Sequence, residues 1–320
     1  MAEIESVLQS PEISVVVPLY DEELVIDEMY RRLTEVMSGT DCSYEIVMVN
    51  DGSSDRTVEL AKVICAADPR VKLMTFSRNF GHQVAITAGM DRCVGQAVVV
   101  IDADLQDPPE VIPKMIAKWR EGYQVVYGVR EKRQGESWFK LLTAKVFYRL
   151  LKRLTSVDIP VDTGDFRLVD RRALAHFNTM RERSRFVRGM ISWVGFKQCE
   201  VKYVRHERHA GETKYPFSKM LKFAIDGLLA FSQAPLKLAS ALGLASSAVS
   251  FFFIVYGLWM KYFYPEQVIP GWSSLFSAIL FLGGIQLICL GVLGEYIGRI
   301  YEEIKQRPLY VIDEEVNFPE

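Results

Sequence analysis

Two long stretches without charge constrain the last third of this 320-residue chain. No Asp, Glu, Lys or Arg lies between Lys237 and Lys261, and none between Glu266 and Glu295. A bilayer core takes about 20 apolar residues of helix, so each stretch is long enough to cross one. The competing reading is a pair of buried helices in a water-soluble protein. The separator, KYFYPEQVIPGW, is short, holds two prolines and has aromatics at both ends, as a turn at a membrane interface would. Two helices so joined form a hairpin, which puts its two flanking segments on the same side of the bilayer. Lys214, Lys219, Lys222 and Lys237 precede the first stretch, and Arg299, Lys305 and Arg307 follow the second, whereas the separator has one Lys and one Glu. The expectation is an integral inner or plasma membrane protein with both termini cytoplasmic.

Charge and cysteine content narrow the partners. With 38 Lys and Arg against 40 Asp and Glu, the net charge of −2 carries no signature for nucleic acid. Five scattered cysteines without CxxC spacing argue against a disulfide framework or a zinc site. The acidic start, MAEIESVLQSPEIS, shows no secretory signal.

Residues 1 to 210 alternate between strand-like and helix-like patterns. ISVVVP, YEIVMVN, VKLMTF and AVVVID are short, β-branched apolar runs. Helical stretches such as EELVIDEMYRRLTEVM and RTVELAKVICAAD follow them. That rhythm predicts an α/β domain with a mostly parallel sheet covered on both faces, whose ligands sit beyond the carboxyl ends of the strands. Three of those ends are polar and acidic: PLYDEE at 18–23, NDGSSD at 50–55 and DADLQD at 102–107. Asp55 is equally suited to capping the helix that follows. DADLQD is harder to assign to capping, because two carboxylates at one strand terminus repel unless a cation intervenes. Oxygen ligands from Asp102, Asp104 and the Gln106 amide suit Mg²⁺ or Mn²⁺, which complete their shells with water and phosphate oxygens.

VVVPLYDEE, VNDGSSDRT and DADLQDPPE, in that order, resemble the family 2 inverting glycosyltransferases with a GT-A type nucleotide-sugar-binding domain. DTGDFRLVDR, RHERHAGETKYPFSKM and the two spans narrow the resemblance to the polyprenyl-phosphate glycosyltransferases, such as dolichyl-phosphate mannose synthase and the bactoprenol glucosyltransferases. Two positions depart from the usual pattern: Asp21 stands where Asn is common, and Thr213 where Ser is.

The resemblance implies roles. Pro18, Tyr20, Glu22 and Asp51 line the nucleoside pocket. Asp102 and Asp104 hold the metal on the diphosphate, while Arg130 and Arg133, on a polar loop past the strand YQVVYG, contact phosphate. Asp165 lies beside the reacting carbon. The acceptor, a lipid phosphate with a second pKa near ~6, is already ionised and needs little help from a base. Asp165 is therefore expected to position the acceptor more than to deprotonate it, the alternative being an ion pair with an Arg that ties the sheet together. Arg208, Thr213 and Lys214 bind the acceptor phosphate. His82 is expected at a helix start near the donor pocket.

The expected organisation is a cytoplasmic catalytic domain (1–210), an interfacial amphipathic segment (211–235), two transmembrane helices (236–300) and a cytoplasmic tail (301–320). A second basic amphipathic stretch, from Glu136, reads equally as a membrane-surface helix or an ordinary one packed on the sheet. The implied reaction moves one hexose from a nucleotide sugar, first choice UDP-glucose, to undecaprenyl or a related polyprenyl phosphate at the bilayer surface. GDP-mannose transfer to dolichyl phosphate, a processive polysaccharide synthase and a non-catalytic nucleotide-sugar sensor are the alternatives. The synthase is disfavoured by the lack of QxxRW. Small residues in LGLASSA and LGGIQL are compatible with a homo-oligomer.

Overall fold

A computed structural model describes residues 11–131, 163–204, 234–263 and 271–319. The chain divides into two units. One comprises residues 1–152, 157–221 and 307–320, the other 153–156 and 222–306. The interfacial segment and the Glu136 stretch lie outside the described residues, apart from the first residues of the helix that opens at Ala234.

The first unit is built on an eight-stranded sheet. The apolar runs form β1 (Ile13–Leu19), β2 (Tyr44–Asn50), β3 (Val71–Phe76) and β4 (Ala97–Val100). They are followed by β5 (Val125–Arg130), β6 (Thr163–Asp170), β7 (Gln198–Tyr203) and, beyond the hairpin, β8 (Ile312–Val316). The spatial order is β7-β5-β6-β4-β1-β2-β3-β8. β6 and β8 run antiparallel to their neighbours, and the remaining pairs are parallel. β5 continues through Arg130 instead of ending at Gly128, because β7 pairs with it as far as Arg130 and Tyr203.

Helices cover both faces. On one face, α1 (Ile26–Ser38) buries Ile26, Met29, Leu33 and Met37, an apolar stripe at helical spacing. Full enclosure of a side chain such as Leu33 contributes about 1.5–3 kcal/mol. α2 (Thr57–Ala67) and α4 (Ile112–Arg120) share that core. On the other face, α3 (His82–Arg92) buries a run of small and medium side chains from Ala85 to Met90. Gly89 is what allows it to lie so close: a Cβ there would stand 2.3 Å from Val16 Cγ1. α5 (Arg171–Thr179) and α6 (Val187–Val194) follow β6.

The chain steps from β1 outward to β2 and β3, then returns to place β4 on the other side of β1. Connections therefore diverge between β1 and β4, where open α/β sheets form their ligand crevice. Pairing between these strands stops at Val16–Val100, whereas β1 stays paired with β2 up to Leu19–Asn50. Pro18, which has no N–H to donate, falls where β4 has already parted from β1.

In the second unit, α7 (Ala234–Phe263) and α8 (Trp272–Ile304) pack on each other, with Cys289 Sγ 3.4 Å from Ala239 O. At 1.5 Å per residue each is roughly 45–50 Å long. Among the described residues, Phe281–Ile304 is long and apolar enough to cross a membrane, with a mean hydropathy of 1.5. The apolar stretch Ala239–Phe253 is shorter. Phe251, Phe252, Phe253, Leu258, Phe281, Leu287 and Leu290 are exposed along the two helices.

Candidate active site

The rim at the carboxyl ends of β1 and β2 is stitched together by the polar motifs that close those strands. Asp21 takes a left-handed backbone (φ 52°), which Asn and Asp tolerate better than other L-residues, so Asp can stand where Asn is the commoner choice. Its N–H donates to Ser53 Oγ at 3.0 Å, and its carboxylate accepts from Ser54 N–H at 2.8 Å. Glu22 N–H donates to Thr57 Oγ1 at 2.8 Å and Glu23 N–H to Asp55 Oδ2 at 3.1 Å. Asp55 also accepts from Thr57 N–H at 3.0 Å, while the N-cap position of the helix that follows is Arg56, so Asp55 serves as a strut between the two loops. Pro18 is buried within β1, and the Tyr20 side chain opens to solvent.

Asp51 is buried, and its carboxylate receives Phe80 N–H at 2.6 Å and Gly81 N–H at 2.9 Å. Burial pushes its pKa up, and those amide bonds work in the opposite direction. The loop after β3 is thus latched over the end of β2. Gly52 makes the approach possible: at φ 69°, a Cβ there would stand 2.6 Å from the backbone of Arg78 and Asn79. Sequence reading placed Asp51 in the nucleoside pocket and did not anticipate the latch.

The latched loop delivers the start of α3 to the far side of the crevice. His82 Nε2 lies 3.4 Å from Asp102 Oδ1 and 3.3 Å from Asp165 Oδ2. Gln83 Nε2 donates to Asp165 Oδ2 at 3.0 Å. From α6, Arg188 Nε donates to Asp165 Oδ1 at 2.8 Å, and its Nη1 donates to Thr163 O at 2.8 Å. Period-2 alternation along β6 puts Asp165 and Arg167 on this face, with Phe166 and Leu168 in the core on the other.

These neighbours drive the Asp102 and Asp165 carboxylates apart. Burial alone would raise Asp165, but the Arg188 charge and the hydrogen bonds from His82 and Arg188 hold it well below the usual carboxylate range. Asp102 is pushed up to about 6 by burial and by the negative charges of Asp165, Asp107 and Asp104, against the pull of His82. Burial works against a charged His82, yet Asp102 and Asp165 raise it to about 9.

Among the described residues Asp102 Oδ1 is buried and accepts no hydrogen bond, its charged neighbour being His82 Nε2 at 3.4 Å, so an oxygen-seeking cation fits it. Asp104 Oδ1 accepts from Gln106 N–H at 3.1 Å, with Leu105 between them at φ 59°. Among the described residues, no three His, Cys, Asp or Glu side chains are preassembled as a metal cluster. Two carboxylates presenting a hard cation to phosphate oxygens need no third.

Asp107, the last acid of DADLQD, does something else. It is buried and accepts from Tyr203 Oη at 2.5 Å, and Arg130 Nη2 stands 3.8 Å from it. Arg130 is therefore engaged with Asp107 at the end of β5. Arg133, Arg208, Thr213 and Lys214 lie outside the described residues. Sequence reading missed Arg188, Gln83 and Tyr203 and left His82 undecided. Only the adjacency of His82 and Gln83 to the glycine of RNFGHQ hinted that a loop hands over to a helix there.

Comparison with known proteins matches residues 14–177 to glycosyl transferase family 2 and residues 234–300 to the GtrB C-terminal hairpin. The chain is 58% identical over 299 residues to an uncharacterized glycosyltransferase, YkcC, of Bacillus subtilis, covering 93% of this chain and 92% of that one. It is 42% identical over 302 residues to the prophage bactoprenol glucosyl transferase homolog of Escherichia coli, with 94% and 98% covered. It is equally identical over 302 residues to the bactoprenol glucosyl transferase of Shigella phage SfII, with 94% and 97% covered.

Proposed function

This chain belongs to glycosyl transferase family 2, and on that premise we propose that it moves one hexose from a nucleotide sugar, UDP-glucose first, to a polyprenyl phosphate at the cytoplasmic membrane face. The observation that carries the reading is Oδ1 of Asp102, buried and without a hydrogen bond among the described residues, at the crevice between β1 and β4, with Asp104 two residues on. Those two residues would hold Mg²⁺ or Mn²⁺. Such an ion supplies Lewis-acid neutralisation of a departing nucleoside diphosphate. Tyr20, Glu22 and the rim at Asp51 would receive the nucleoside.

Asp165 would orient the acceptor on the face opposite the leaving group, which gives inversion. A carboxylate held so far below its usual pKa is a poor proton acceptor, and an ionised lipid phosphate has no proton that must be removed. Its clamp by Arg188, His82 and Gln83 favours positioning over base catalysis. Arg208, Thr213 and Lys214 are the proposed acceptor-phosphate ligands, and Arg133 joins Arg130 on the donor side.

The course of the chain supports the topology. β8 comes after the hairpin yet pairs with β3, so both flanks of the hairpin return to one side and the membrane is crossed an even number of times. Lys237, Arg299, Lys305 and Arg307 favour the cytoplasm for that side. The relatives named bactoprenol glucosyl transferase support the acceptor class.

The test is the purified full chain incubated with a panel of radiolabelled nucleotide sugars and undecaprenyl or dolichyl phosphate. Label in the organic phase, one hexose per lipid, abolished by a chelator and restored by Mn²⁺ or Mg²⁺, is the expected result. Donor binding without lipid-soluble label would make the protein a sensor, and an extended polymer would make it a synthase. Transfer that survives chelation would remove the metal.

A further inference from the structure

We propose that the segment after the hairpin is a positioning strap for the active site and that Tyr310 is its key positioning residue, the inference resting on the transferase reading of the Asp165 site. Tyr310 lies a few residues past the end of α8, and its ring stacks on Phe76, the last residue of β3, with centroids 5.2 Å apart and planes 17° apart. Phe76 in turn meets Phe80 edge-on at 5.6 Å. Phe80 N–H is one of the two amides latched by Asp51, and His82 and Gln83, immediately beyond, hold Asp165. A continuous series of packed rings therefore runs from the strap to the loop that holds the catalytic carboxylate.

Two further contacts fix the strap at this point. Val311 O accepts from Ser77 N–H at 3.0 Å, which extends the β8 pairing into the first residue of the latched loop. Tyr310 Oη donates to Asp91 Oδ2 at 3.0 Å, and Arg181 donates to the same oxygen at 2.7 Å, tying the strap to the far end of α3. The pairing of β3 with β8 shifts register between Thr75 and Phe76, where the sheet edge gives way to the loop. A bulge at such a place re-aims the chain beyond it. The lower part of the strap has a different job: Glu315 with Arg92 at 2.7 Å and Glu314 with Lys62 at 2.6 Å are ordinary edge contacts remote from the loop.

Segment 77–83 has no regular structure until His82, so its conformation depends on what it packs against. Asp51 grips it from the β2 side and the Tyr310–Phe76 stack from the β8 side. Loss of the second grip leaves the donor rim stitched by Asp21, Ser53 and Ser54 but loosens His82 and Gln83.

The experiment compares Tyr310→Ala, Tyr310→Phe, Phe76→Leu and Glu315→Gln in the full chain, measuring kcat, donor KM, thermal midpoint and amide hydrogen exchange. Tyr310→Ala is expected to lower kcat about tenfold, a small misplacement of reacting groups being enough for that. Donor KM should stay within about twofold, and the amides of Phe80 to Gln83 should exchange at least about tenfold faster. Tyr310→Phe, which keeps the stack and loses only the bond to Asp91, is expected to recover most of kcat. Phe76→Leu attacks the same contact from the other side, and adding Tyr310→Ala to it should cost little more. Glu315→Gln should leave kcat and the exchange of 80–83 unchanged. Wild-type kcat in Tyr310→Ala, a Tyr310→Phe as impaired as Tyr310→Ala, or faster exchange confined to β3 and β8 would overturn the proposal. Should no donor be turned over, the exchange of residues 80–83 still decides the strap, while the missing product counts against the transferase.

Discussion

Replacement of Arg188 by Met should expose how much of this site depends on one ion pair. Arg188 makes two bonds to Asp165, 2.8 Å from Nε to Oδ1 and 3.3 Å from Nη2 to Oδ2, and a third to Thr163 O. The Asp165 side chain is 5% exposed, so solvent cannot take over when the guanidinium is removed. Breaking a buried pair from one side costs about 3–5 kcal/mol, because the surviving charge is stranded. Gln83 and His82 still donate to Asp165, which places the expected loss near the lower end, about 3 kcal/mol. For a unit of this size each kcal/mol moves the midpoint by roughly 2–4 °C, so a drop of roughly 6–12 °C is expected. The assay is thermal unfolding of the full chain in detergent, read by intrinsic fluorescence. Asp165→Leu combined with Arg188→Met removes both charges and should regain most of the midpoint, although activity stays lost. A single Arg188→Met costing less than about 1 kcal/mol, or a double variant as unstable as the sum of its singles, would refute the argument that Asp165 is held ionised by this partner.

Gly89→Ala tests the close approach of α3 to β1. Alanine is the better helix former by about 1 kcal/mol, but a Cβ 2.3 Å from Val16 Cγ1 must displace one element. A net loss of about 1–3 kcal/mol is expected, together with reduced turnover as His82 shifts. A stabilised variant in a melting experiment would contradict it. Acid stability should track the three depressed carboxylates, Asp55 together with Asp68 and Asp165, of which the last two are tied to arginine. Asp68 is lowered by its bond to Arg70, and Asp165 by Arg188 against its burial. All three take up protons more readily when unfolded, near the ordinary value of about 3.9, so their stabilisation is complete above that pH and disappears as pH falls through the folded values. Midpoints should rise modestly from about pH 7 to 5, where Asp102 with its raised value takes up a proton more readily folded than unfolded, and fall steeply below about pH 4. Arg70→Ala should make that fall shallower, and an unchanged slope would remove Asp68 from the account.

Sequence alone determined the features that repeat along the chain. β-branched runs alternating with helical stretches such as EELVIDEMYRRLTEVM predicted the α/β unit, because burial of one face imposes its period on neighbouring residues. Charge-free stretches around 238–260 and 267–294 predicted the hairpin, and the described parts of both are helical. The acids of DADLQD, PLYDEE and NDGSSD were legible as strand ends because each closes an apolar run. What those acids do to one another was not legible. Asp102, Asp107 and Asp165 are all acids near strand ends, yet one is raised to about 6, one is tied to Tyr203, and one is held ionised by Arg188. Their partners come from α3, β7 and α6, up to about a hundred residues away, and no local spacing records such pairings. β8 falls within the expected tail, since a five-residue run with three acids, IDEEV, carries too weak an alternation to declare itself a strand. Only the exposed edge of β3, available once the sheet has formed, makes it one. Periodicity is a local property and survives in the linear sequence, whereas pKa values and loop positions depend on groups that folding alone brings within a few ångströms.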